Sequence, residues 1–138
     1  MKALSDEEAR ALLSHCGMGR LGCVVDGEPY VVPINYVFDG GSIYSHSLPG
    51  RKIEVLRAHR RACLQVDRIK SDFDWRSVIA YGDFEEIHAP NDRRSILGKL
   101  LARFPLLTPV ESVTVSDAEP TSIVFRIRVD RITGVGEG

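Results

Sequence analysis

Residues 46–52, His46-Ser47-Leu48-Pro49-Gly50-Arg51-Lys52, put an imidazole, a hydroxyl, a guanidinium and an ammonium beside a glycine. A helix predicted to begin near Arg51 would aim unpaired N–H groups at the same place. Its positive end, with two full charges added, suits a phosphate. Cations at a helix N-terminus oppose its dipole, so Arg51 and Lys52 are better accounted for with an anion between them than as a plain solvated helix start. Gly50 lets a ligand approach the backbone. His46 is the titratable side chain of the stretch, and an unperturbed imidazole, with a pKa of about 6.5, suits a proton donor. A structural histidine hydrogen-bonded to phosphate or backbone is its other reading.

Two strands must deliver the chain to this cluster. Residues 29–38 are rich in Val, Ile, Tyr and Phe, and Asp39-Gly40-Gly41 supplies a hairpin turn before a return strand over 42–47. Pro33 cannot donate to a sheet ladder, so its backbone must lie at an edge, a bulge or an opening that a planar ligand could use. Asn35 is an amide in an otherwise apolar strand and needs partners if buried.

The rest of the chain supplies a small antiparallel frame. Ser5-Asp6-Glu7-Glu8 has the capping-box form, and a helix follows to about His15 with Ala9, Leu12, Leu13 and Cys16 on one face. It is placed as a lid on a barrel end. Residues 18–25 read as a strand, closed by the Asp26-Gly27 turn. A short helix runs over 52–59, and strands over 62–69 and 75–84 flank a polar loop at 70–74. The second of these strands carries a kink at Gly82. Trp75 at its start has the common role of a core or interface anchor. Residues 91–104 form the longest helix, with Asn91 as N-cap and Ile96, Leu97, Leu100, Leu101 and Phe104 as a packing stripe. Residues 110–121 read as a polar loop. Ile123, Phe125, Ile127 and Val129 alternate with polar positions in a last strand that ends at Thr133-Gly134. Six antiparallel strands with short helices make a mainly β barrel.

Composition narrows the function. A chain of 138 residues makes one domain spanning 1–138. Lys plus Arg total 18 against 19 Asp plus Glu, so no overall field exists to hold nucleic acid or an anionic membrane. Apolar runs fall short of the roughly 18 to 20 residues of a spanning helix, and the charged N-terminus is unlike a secretory signal, so a cytoplasmic location is expected. The 3 cysteines form no CxxC pair and have no histidine at ligand spacing, against both a disulfide framework and a zinc site. Cys23 and Cys63 are expected as buried core thiols.

The run from Pro29 to Asp39, the Tyr44-Ser45-His46-Ser47 segment and Gly50-Arg51-Lys52 together resemble the flavin-binding signature of the pyridoxamine 5′-phosphate oxidase-like split barrels, particularly the small branch with the nitroimidazole-resistance reductases. The resemblance runs from about residue 12 to 134. It implies an FMN-binding split β-barrel, a homodimer with two flavin sites at the subunit interface, and an oxidoreductase that passes hydride or electrons from NAD(P)H to a small molecule. It places Val32, Pro33, Ile34, Asn35 and Tyr36 beside the ring, chiefly through main-chain groups, and His46, Ser47, Gly50, Arg51 and Lys52 around the phosphate. Ser77, with Trp75 as its neighbour, would reach the flavin bound by the other subunit. Full-length vitamin B6 oxidases carry a C-terminal Arg and His segment that residues 129–138 do not reproduce, so B6 oxidation is not expected. A binder without turnover, or one holding FAD, haem or a deazaflavin in the same cleft, is the alternative.

Overall fold

Asp26 and Gly27 both take positive φ, 51° and 78°, the geometry that matches a two-residue turn to the twist of the strands beside it. That turn joins β2, Met18–Val25, to β3, Glu28–Asn35, with Met18 opposite Asn35 and Val25 opposite Glu28. The computed structural model describes residues 1–105 and 122–138. The elements are β1 (Lys2–Ala3), α1 (Asp6–His15), β2, β3, β4 (Val37–Asp39), β5 (Ser42–Ser47), α2 (Arg51–Ala58), β6 (Arg61–Ser71), β7 (Asp74–Glu86), α3 (Pro90–Arg103) and β8 (Ile123–Glu137). Among the described residues no helix is long and apolar enough to cross a membrane.

The eight strands form one antiparallel sheet in the order β3-β2-β6-β7-β8-β5-β4, with β1 on the far part of β8. Its end strands, β3 and β4, are consecutive in the chain and separated only by Tyr36. The sheet therefore curls until its two edges meet there, which makes a split barrel. The Tyr36 N–H donates to the Gly17 carbonyl, its ring is fully buried, and its hydroxyl donates to the Leu13 carbonyl. Leu21, Ile43, Leu64, Val66, Val78, Phe125 and Ile127 fill the interior, and α1 and α2 close it with Leu13, Ile53 and Leu56. A second cluster, Ile96, Leu97, Leu100 and Val124, seats α3 on the β5–β8 side.

The frame differs from the sequence expectation in several places. Among the described residues there are eight strands rather than six, because β1 is too short to carry a pattern and the 29–38 run breaks at Tyr36. The loop expected over 70–74 shrinks to a turn at Asp72 and Phe73, since backbone pairing of Ser71 with Asp74 extends both strands. Ala89, not Asn91, is the N-cap of α3: Pro90, with no N–H to satisfy, occupies the first turn. β8 runs on past Gly134 to Glu137, and Val124, expected on its polar side, is buried under α3. Cys23 lies in the core, whereas Cys63 is half-buried on the opposite face of the sheet. The loop expected over 110–121 lies outside the described residues.

Candidate functional site

β3 pairs with β2 alone among the described residues, so its other edge faces the split, and Pro33 sits on this edge strand as its missing donor requires. Strand alternation turns Val32 and Ile34 inward and leaves Pro33 and Asn35 exposed. The gap between β3 and β5 is held by a buried hydroxyl: Ser45 Oγ donates to the Asn35 carbonyl at 2.6 Å. Beside this stitch lies a cavity of about 130 Å³ lined by Pro33, Ile34, Asn35, Ser45, His46, Lys52, Leu100 and Phe104.

Four elements converge on that cavity, β3, β5, α2 and the end of α3. β5 brings Ser45 and His46 on successive residues, pinned by pairing with Phe125 and Val124 of β8. α2 brings Lys52, half-buried. Its N-cap is Gly50, so no side chain caps the first turn, and a methyl built at Gly50 would meet nothing within 4 Å. Gly50 has φ of 171°, which any residue adopts, so what its glycine contributes is open space before the helix. Arg51 is exposed and, among the described residues, makes no ion pair. An anion at the head of α2 would meet backbone dipole and cationic side chains together. Ser47 is half-buried beside them, but its hydroxyl donates to the Leu48 carbonyl at 2.8 Å, so a phosphate would have to draw that proton away.

The structure thus brings Pro33, Ile34, Asn35, His46 and Lys52 into one cavity, with Gly50, Arg51 and Ser47 at its helical rim. Val32 packs against the core beside them. The Tyr36 side chain is turned inward, and with its N–H engaged only its carbonyl is left to line anything. Trp75 and Ser77 are elsewhere. They line a separate hollow of about 410 Å³ with Gln65, Asp67 and Ile69, on the outer face of β6 and β7. Ser45, Leu100 and Phe104 were not foreseen as site residues. Ser45 carries no signal beyond being a small polar residue in an apolar strand, and Leu100 of α3 and its C-cap Phe104 read as packing, which they also perform.

Two further hollows lack such chemistry. One of about 390 Å³ holds Arg126 and Lys99, already committed to Glu85 at 2.6 Å and Asp39 at 2.7 Å. One of about 650 Å³ on the outer face is framed by Val24, Tyr30, Val31, Cys63 and Tyr81, with its Arg61 bound to Asp130 and Asp83. Burial pushes the Cys16, Cys23 and Cys63 thiols up, which keeps them protonated and poorly nucleophilic.

A family model described as pyridoxamine 5′-phosphate oxidase matches residues 5–135. A curated relative, an uncharacterized protein of Rhizobium meliloti (strain 1021), is 34% identical over 89 residues, a stretch that spans 64% of this chain and 59% of that protein. Among solved structures, an FAD-binding protein from Mesorhizobium loti superimposes with a TM-score of 0.83 at 30% identity, over 99% of this chain and 98% of that one. A 5-nitroimidazole antibiotic resistance candidate from Bacteroides thetaiotaomicron shares the fold, with a TM-score of 0.79 at 21% identity over 96% and 85% of the two chains.

Proposed function

The chain belongs to the pyridoxamine 5′-phosphate oxidase family, and from that premise we propose that it is a flavoprotein, binding FMN in two equivalent sites shared between the protomers of a homodimer. The observation that carries this reading is the cavity itself. It gathers an edge-strand proline, an amide, an imidazole and an ammonium beside an uncapped helix start, yet at about 130 Å³ it is far below the roughly 300 to 1,000 Å³ of an ordinary small-molecule pocket. Among the described residues one protomer offers only part of a site, and a second protomer is proposed to complete it.

The donor set fits the group. The head of α2, Arg51 and Lys52 suit a terminal phosphate, while the free edge of β3 offers backbone groups from Val32 to Tyr36 to a flat heteroaromatic ring. Gly50 leaves room for a phosphoryl oxygen to reach the backbone. The outer face supplies the means of completion. Val24 is 53%, Val31 65% and Ile69 69% exposed there, apolar side chains that would suit a proposed interface. A two-fold axis through this face would put Trp75 and Ser77 of each protomer against the site of the other. When bound, the flavin would supply hydride or electron transfer between NAD(P)H and a small substrate, and the chain holds it, orients it and keeps water from its ring. His46 is the imidazole of the cavity, proposed here as its proton donor.

FAD is the second reading, favoured by the Mesorhizobium loti protein at 30% identity. Its diphosphate would use the same helix head and extend past the open side of Gly50. The deciding measurement is the mass of whatever small molecule is released on denaturing protein that purifies yellow. FMN meets the proposal, FAD moves it to the second reading, and haem, a deazaflavin or a colourless protein that binds neither flavin overturns it. Steady NAD(P)H oxidation with added acceptors separates an enzyme from a binder.

A further inference from the structure

On the outer face of the sheet, far from any role in packing the barrel, four polar side chains form a closed hydrogen-bond network. Asp67 stands opposite Ser77 across β6 and β7, and Gln65 stands opposite Arg20 across β6 and β2. Gln65 Nε2 donates to Ser77 Oγ at 3.0 Å and to Asp67 Oδ2 at 3.0 Å. Arg20 Nη1 donates to Asp67 Oδ2 at 2.9 Å and to Gln65 Oε1 at 3.3 Å. Both donors and the acceptor of the amide are therefore assigned. Flipping it would set its oxygen against the Asp67 carboxylate and its NH₂ against the Arg20 guanidinium, so flanking charges of opposite sign dictate its orientation.

The consequence falls on Ser77. A hydroxyl has one proton and two lone pairs, and one lone pair is taken by Gln65. Among the described residues nothing accepts the Ser77 proton, and the half-buried hydroxyl lines the 410 Å³ hollow beside Trp75 and Ile69. We propose that Gln65 is a positioning residue that fixes Ser77 as a hydrogen-bond donor, so that the flavin edge presented to it carries an acceptor, a carbonyl oxygen or an unprotonated ring nitrogen, and not the ring N–H. The inference rests on the flavin reading above. It goes further in assigning polarity to the contact and a role to Gln65, Asp67 and Arg20, which the signature stretch does not include. A donor beside a flavin acceptor favours the more electron-rich reduced form, so the contact acts on potential as well as affinity.

The test is a double-mutant cycle on the intact protein, with flavin affinity and the midpoint potential of the bound flavin as readouts. Ser77→Ala is expected to weaken flavin binding roughly 2- to 12-fold, the range for one neutral hydrogen bond, and to lower the potential. Gln65→Leu should reproduce most of both changes, and the double variant should be no worse than Ser77→Ala alone. Unchanged affinity and potential in Gln65→Leu, or effects that multiply in the double variant, overturn the proposal. If Gln65→Leu does not fold, Gln65→Glu carries the test at the same side-chain size. Its carboxylate accepts the Ser77 O–H as a hydrogen bond and so turns the hydroxyl's lone pairs toward the ligand, and binding should fall at least as far as in Ser77→Ala; wild-type affinity would refute the assignment. Wild-type protein that binds no flavin brings down the functional reading and this inference with it. Wild-type protein that binds flavin, with variants indistinguishable from it, brings down this inference alone.

Discussion

Tyr36 joins the two edge strands through its backbone while its side chain reaches α1, and that side chain's chemistry can be titrated. Burial pushes its phenol well above the ordinary value of 10, with nearby Cys16 adding to the shift. A raised folded-state pKa means that this stabilisation is complete below about pH 10 and is lost as pH climbs from there toward the folded value. Stability measured by urea denaturation should therefore drop above pH 10, and Tyr36→Phe should flatten that drop. The same variant leaves the Leu13 carbonyl without its partner and should cost about 1 to 3 kcal/mol at neutral pH. At the site, Arg51→Ala with Lys52→Ala is expected to weaken flavin retention by about 2 to 4 kcal/mol, read as flavin content after dialysis. The residues that converge on the cavity were legible where they lie together in sequence, as His46 and Lys52 do. Ser45 and Phe104 were not, because their relevance comes from what β3 and α3 bring opposite them. Tyr36 was legible as a strand residue, but the side it faces depends on a break that only the curl of the sheet imposes.

The last turn of α1 shows how an element can be finished by the rest of the protein. The Leu12 carbonyl takes the Cys16 N–H, Leu13 takes Tyr36, and Ser14 and His15 take the two terminal nitrogens of Arg103 from the end of α3. The last three of these are carbonyls the helix cannot satisfy itself, and a guanidinium there also complements the dipole. Arg103→Ala should speed amide exchange at the C-terminal end of α1 more than elsewhere and cost roughly 1 to 2 kcal/mol. Gly82 marks the irregularity between β7 and β8, where a methyl group would overlap the Arg128 carbonyl oxygen. Gly82→Ala should lower stability by about 1 to 3 kcal/mol or prevent folding, judged by thermal melting. The bounds of α1, β2 and α2 could be read closely from caps, turns and alternation. The far end of β8 could not. Its glycines read as a strand ending, yet at Gly136 an added Cβ would lie 2.7 Å from the Trp75 carbonyl oxygen, so glycine there permits close pairing rather than breaking it.

Taken whole, the molecule has two unlike surfaces on one sheet: an inner face closed over the core and an outer one that leaves Val24 and Val31 uncovered beside a 650 Å³ hollow, Ile69 beside the 410 Å³ one, and Val135 exposed on β8. If that face joins two protomers, Val31→Arg should halve the mass seen in native light scattering and release the flavin, while circular dichroism stays that of the folded chain. Retained flavin in a folded monomer would refute the shared site. Nothing in composition announced such a face, since its apolar residues alternate with the core-facing ones and read as ordinary strand. β8 pairs with β5, β7 and β1, so that Lys2 meets Gly136 at opposite extremes of the described chain. A ribosome must therefore release nearly all of these residues before the central ladder can form. Until then the nascent polypeptide carries β2, β3, β6 and β7 as an open apron with apolar surface on both sides. Such a product invites chaperone capture and self-association during synthesis, and its yield should be governed by how fast translation proceeds through the final strand.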